Sequence, residues 1–179
     1  MDDLFPECLA FTLAQEGGYV DDPYDPGGAT NMGITLVTLQ HWDHDPALGP
    51  EAVQDLSRQT AASIYGALYW NAVRGDALSD GVDLSVFDFG VNAGTRCSAK
   101  LLQAVLGFDS AEEDGWIGKL TLAALLEANP AQVIGSLAER QAGYYRSLAE
   151  FDRYGQGWLA RTERRKQAAI AMLERARQA

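Results

Sequence analysis

Between residues 16 and 35 the chain reads EGGYVDDPYDPGGATNMGIT, and no regular helix can pass through that run. Gly17-Gly18 stops a helix, because glycine takes the left-handed backbone that follows a helix end without a Cβ penalty. Asp21, Asp22, Pro23, Asp25, Pro26, Gly27 and Gly28 are all turn formers. Whatever precedes Glu16 must end there, and the chain must turn back as an irregular segment or short hairpin. The remaining elements have to be arranged around this interruption.

What precedes it is a helix. Asp2 or Asp3 can cap it, and Pro6 is tolerated in the first turn. Leu4, Cys8 and Phe11 keep a helical period, as do Leu9 and Leu13. Glu16 continues the same face, so the stripe that enters the core ends in a carboxyl group. A carboxyl at a helix end beside Phe11 and Tyr19 stands where a general acid could be placed.

Downstream, Ile34 to Leu39 can begin a further helix, and His41 to Glu51, with Trp42 and two prolines, reads as a surface loop. Ser57 is an N-cap for a helix through Trp70, with Ala61, Ile64 and Leu68 on one face, widened by Tyr65, Tyr69 and Trp70. Val82 to Asn92 suits helix or buried strand, and its helical surroundings favour helix. Ala99 to Leu106 and Lys119 to Leu126 follow, the latter after the Asp114-Gly115 turn. Pro130 opens a helix to about Phe151. Gly155 and Gly157 mark a break before a last helix from Leu159 to Ala176. The expectation is a mainly α fold of six or seven helices with at most a small β-hairpin, in one domain over residues 1–179.

The charge pattern narrows the function. Net charge is -11, with eleven acidic residues and only Arg58 basic in residues 1–60, and nine basic against four acidic residues in 140–179. That argues against a nucleic-acid binder, leaving only a local basic face on the last helix. The acidic N-terminus lacks the features of a secretory signal, and no apolar run is long enough to insert stably in a membrane. Action outside the cytoplasm, where the chain is made, would need a separate means of release. Cys8 and Cys97 read as free thiols, since spacing alone does not pair them.

Cleavage of an acetal needs one carboxyl group as proton donor and a second carboxylate that activates water or stabilises positive charge. Glu16 is the candidate donor, and Asp22, Asp25 and then Asp21 are candidates for the second role. Each has a plainer reading: Glu16 as a solvated helix end, the aspartates as turn caps. Thr30 can position a water or merely close a turn. Asp88 and Asn92, four apart in VFDFGVNAG, can bond sugar or brace helices, and Tyr19, Tyr24, Trp42, Tyr69 and Trp70 can stack on rings or fill the core. No cofactor is implied. His41 and His44, with Asp43 and Asp45, have no third cluster with which to hold a metal, DDPYDPGG fits no EF-hand, and Gly27-Gly28 fits no phosphate loop.

EGGYVDDPYDPGGATNMGIT resembles the N-terminal motif of the glycoside hydrolase family 108 lysozymes, and YGALYWNAVRGDALSDGVDLSVFDFGVNAG resembles their following segment. LLQAVLGFDSAEEDGWIGKLTLAAL resembles the peptidoglycan-binding-type region that completes them, with a DG-x-x-G-x-x-T core at Asp114, Gly115, Gly118 and Thr121. The likeness covers roughly residues 5–175. It implies a lysozyme-like fold, with a catalytic segment at 1–92 and a helical peptidoglycan-binding-type segment at 93–176 in the same core.

The resemblance also implies a phage- or prophage-type endolysin. Such an N-acetylmuramidase hydrolyses the β-1,4 bond between N-acetylmuramic acid and N-acetylglucosamine in the periplasm or outside the cell. Its partner is the peptidoglycan glycan strand, and a holin, secretion machinery or a phage-like particle delivers it. Glu16 becomes the catalytic acid. The nine- and five-residue steps to Asp25 and Thr30 resemble the Glu-Asp-Thr set of phage-type lysozymes, with Tyr19, Asp22, Asn31, Asp88 and Asn92 left to bind substrate. A lytic transglycosylase, a chitinase-like enzyme and a silent wall-binding or particle-assembly protein are the alternatives. Lys119 stands where the family pattern usually has proline, which predicts a changed turn.

Overall fold

The computed structural model describes residues 4–21 and 28–178. It is mainly α: nine α-helices and one two-stranded antiparallel hairpin among the described residues. The chain divides into two compact units, one of residues 9–68 and one of 69 onward together with the residues up to Cys8.

Helix α1 (Phe5–Gln15) ends one residue before Glu16, as the Gly17-Gly18 stop requires. In the unit of residues 9–68, β1 (Thr30–Asn31) pairs with β2 (Ile34–Thr35), and Val20 bridges to Thr30 on the other side. Met32 and Gly33 have φ of 50° and 73°, so both centre positions are left-handed, as in a type I′ turn. Helix α2 (Leu36–Asp43) starts at once, capped by the Thr35 hydroxyl accepting from the Thr38 amide. The expected loop from His41 to Glu51 is therefore only the stretch between α2 and α3 (Pro50–Gln54), a short helix with proline at its start. These two short helices raise the count above six or seven.

Helix α4 (Arg58–Tyr65) has the expected Ser57 cap, its hydroxyl accepting from the Thr60 amide. It passes into a π-helical turn over Gly66–Trp70 rather than running on as one regular helix. A 3₁₀ turn at Gly75–Ala77 follows, where a Cβ on Gly75 would lie 2.3 Å from the Trp70 ring. Glycine is needed there for contact, not for φ.

In the second unit α5 (Val82–Ala93) is a helix, and its residues 82–90 are all buried. A helix that is apolar nearly all round must be enclosed, and α5 packs against α6 (Thr95–Val105), α8 (Pro130–Arg146) and α9 (Phe151–Ala176). At its start a Cβ on Gly81 would fall 2.2 Å from the Ala169 carbonyl, so glycine there permits direct backbone contact with α9. The expected break at Gly155 and Gly157 does not occur; the interruption lies at 147–150, and α9 runs through both glycines. Gly155 is buried under the Phe151 ring, a packing reason for glycine that overrides its low helix propensity. Helix α7 (Lys119–Glu127) begins at Lys119 without the proline of the family pattern, with Gly118 in extended conformation before it. Cys8 is buried, Cys97 is partly exposed, and neither is in a disulfide.

Candidate active site

Glu16 leaves the end of α1 half-buried, its amide still bonded to the Thr12 carbonyl at 3.2 Å. Its carboxyl reaches the hairpin turn. A Cβ built on Gly33 would stand 3.1 Å from both Cγ and Oε2 of Glu16 and 2.5 Å from the Tyr65 hydroxyl. Tyr65, 1% exposed at the end of α4, donates through that hydroxyl to the Met32 carbonyl at 2.9 Å. Three separate stretches, the end of α1, the hairpin turn and the end of α4, therefore converge on the Glu16 carboxyl. Burying a tyrosine ring leaves one hydroxyl that must find a partner, and here it fixes the turn beside the carboxyl.

Thr30 is the centre of the hairpin. Its amide and carbonyl exchange two bonds of 2.8 Å with Val20, and its hydroxyl donates to the Gly28 carbonyl at 3.3 Å. Asn31 anchors the hairpin: its side-chain amide donates to the Val53 and Gln54 carbonyls at 3.0 and 3.2 Å, capping the end of α3. Tyr19 is exposed and its hydroxyl donates to Asp21 at 3.4 Å. Asp22 and Asp25 lie outside the described residues. Glu16, Tyr19, Thr30 and Asn31 thus share one unit, while Asp88 and Asn92 belong to the other.

Asp88 has the bracing role of the two the sequence allowed. It is 0% exposed on α5, receives Nε and Nη2 of Arg161 at 3.1 and 2.7 Å, and receives Nη1 of Arg165 at 2.6 Å. Burial acts to raise its carboxyl. The Arg161 hydrogen bonds and the charges of Arg165 and Arg161 outweigh it and hold the group below the usual carboxylate range. Arg165 also donates to the Gln141 carbonyl oxygen at 2.6 Å, tying α9 to α8. A carboxylate enclosed in this way has no oxygen to offer a sugar. Asn92 is exposed at the end of α5, its Oδ1 accepting from the Tyr145 hydroxyl at 2.8 Å.

Sequence reasoning missed Tyr65 and Gly33 as parts of the Glu16 site, and Arg161 and Arg165 as the partners of Asp88. A buried tyrosine at a helix end is a signal for the first. Two arginines four apart on the inner face of α9 are a signal for the second. Among the described residues no three metal-binding side chains cluster, and no helix is long and apolar enough to cross a membrane.

The glycosyl hydrolase 108 family model matches residues 9–94, which include Glu16, the hairpin and the whole unit 9–68. A domain described as a predicted peptidoglycan domain matches residues 97–163. Among solved structures, SagA of Brucella abortus is 39% identical, with a TM-score of 0.83 over 94% of this chain and 95% of its own. No curated protein matches the chain. With a mainly α fold shared along nearly its full length and both segments matched, the chain belongs to the glycosyl hydrolase 108 family, as a lysozyme-type glycoside hydrolase that acts on the peptidoglycan of the cell wall.

Proposed function

We propose that the chain is an N-acetylmuramidase, hydrolysing the β-1,4 bond between N-acetylmuramic acid and N-acetylglucosamine, with Glu16 as general acid. The observation that carries this reading is the Glu16 carboxyl standing against the Gly33 turn, which the Tyr65 hydroxyl ties down at the Met32 carbonyl. A proton donor has to meet the leaving oxygen at hydrogen-bond distance, so a carboxyl beside a glycine, where no side chain blocks approach, suits that task. Asp25 is the second carboxylate and Thr30 positions the water. Tyr19, Asp22 and Asn31 contribute to glycan binding, Asn31 by setting the hairpin. Residues 1–92 form the catalytic segment and 93–176 the peptidoglycan-binding segment. The enzyme is made in the cytoplasm and reaches the wall through a holin, secretion machinery or a phage-like particle.

The deciding experiment is mass analysis of products from purified peptidoglycan, with the parent and Glu16→Gln compared. Reducing muropeptides from the parent, and a rate lower by about 10²–10⁴-fold in Glu16→Gln, are the expected result. 1,6-Anhydro products would instead identify a lytic transglycosylase, and no products from a folded parent would remove the catalytic assignment.

A further inference from the structure

The hairpin beside Glu16 turns at residues that do not choose its shape by themselves. Met32 and Gly33 close it with φ of 50° and 73°. Glycine takes that left-handed backbone freely, whereas a methionine there is strained. Turns of type I′ favour Asn-Gly or Gly-Gly at their centre, and this one has Met-Gly. The common type I turn accepts most residues, Met-Gly among them. Type I is the mirror image of type I′, so it would send the Met32 carbonyl to the opposite side of the hairpin.

That carbonyl is where the rest of the unit takes hold. The Tyr65 hydroxyl donates to it at 2.9 Å from 33 residues away. Tyr65 is 1% exposed at the end of α4, so its ring is set by the core and does not follow the turn. Asn31 acts one residue earlier, on the Val53 and Gln54 carbonyls, and pins the strand instead of the central peptide of the turn. Strained backbone persists where its surroundings over-determine it, and here the bond from Tyr65 selects the form that Met32 resists. The Glu16 carboxyl and the Tyr65 hydroxyl both border the space that a side chain on Gly33 would fill.

We propose that Tyr65 is a positioning residue for Glu16: its hydroxyl imposes the left-handed turn at Met32-Gly33, and that turn sets where the Glu16 carboxyl stands. The proposal deepens the muramidase reading and rests on it for the role of Glu16. Tyr65 acts through the backbone of the turn and not on the glycan. The hydroxyl is therefore dispensable once the turn carries a sequence that adopts the same form unaided.

The test compares the full-length parent, Tyr65→Phe, and Tyr65→Phe combined with Met32→Asn, which makes the turn Asn-Gly. One readout is hydrogen exchange at the Thr30 and Leu36 amides, which donate to the Val20 and Ala29 carbonyls at 2.8 Å. The other is release of reducing ends from purified peptidoglycan. In Tyr65→Phe, exchange is expected to quicken about fivefold or more and release to fall about tenfold or more. Adding Met32→Asn is expected to bring both back to within about threefold of the parent, a recovery that a purely packing role for Tyr65 would not give. Exchange in Tyr65→Phe within about twofold of the parent would overturn the proposal. So would a folded double variant that fails to recover, since the hydroxyl would then act otherwise than through the turn. If Tyr65→Phe alone does not fold, refolding on adding Met32→Asn supports the proposal and continued unfolding overturns it. A parent that releases no reducing ends would remove the muramidase reading, while the exchange readout still decides whether Tyr65 imposes the turn.

Discussion

At Gly33 a hydrogen stands where any other residue would place a carbon 2.5 Å from the Tyr65 hydroxyl and 3.1 Å from the Glu16 carboxyl, at a φ of 73°. Gly33→Ala is therefore expected to cost about 1–3 kcal/mol in urea unfolding and to lower hydrolytic rate more than a surface substitution of equal cost. Asp83, 1% exposed, behaves differently from Asp88. Burial pushes its carboxyl up to about 7, against the pull of the Leu84 and Gly81 amides at 2.7 and 2.8 Å and with the nearby charges of Asp80 and Glu7 adding to the rise. A carboxyl raised on folding binds its proton more tightly in the folded state. Its contribution is thus fully present below the ordinary value near 4 and lost as pH rises to about 7, by up to about 4 kcal/mol. Asp83→Asn keeps the oxygen that accepts both amides, and unfolding measured from pH 4 to pH 8 is expected to lose that part of the slope. The place of Glu16 at the end of α1 was legible in the sequence because Gly17-Gly18 fixes where that helix stops. Tyr65 was not, because a helical face shows that a ring is buried but not which turn its hydroxyl reaches across 33 residues.

Elements were legible where a local signal sets them. Ser57 caps α4 and Pro130 opens α8. They were misread where packing overrides the signal, as at Gly155, whose missing side chain makes room for Phe151 inside a continuous α9. The same reasoning applies at Lys119, the first residue of α7, preceded by Gly118 at ψ -171°. Proline suits that position, since the amide there lacks an intrahelical partner and the preceding residue is already extended. Lys119→Pro is expected to raise stability by about 0.4–1 kcal/mol in denaturant unfolding, and a loss instead would show that the Lys119 amide is needed.

For the molecule as a whole, a net charge of -11 faces a wall polymer that is itself acidic. Repulsion between them reaches about 30 Å at 0.01 M salt and about 8 Å at 0.15 M. Digestion of isolated peptidoglycan is expected to rise across that range, followed as release of reducing ends; a fall would point to the basic residues of α9 as the controlling surface. One feature of the fold also bears on when the protein exists at all. Helix α5 is closed by Arg161 and Arg165, which reach Asp88 from 73 and 77 residues away, and by the Ala169 backbone seated on Gly81. A ribosome that has translated all but the last stretch of this chain has made a core helix with no lid and a buried-type aspartate with no cation. Folding of that unit therefore waits until α9 has left the ribosome, and a product truncated before α9 is a target for proteolysis instead of a partial wall hydrolase.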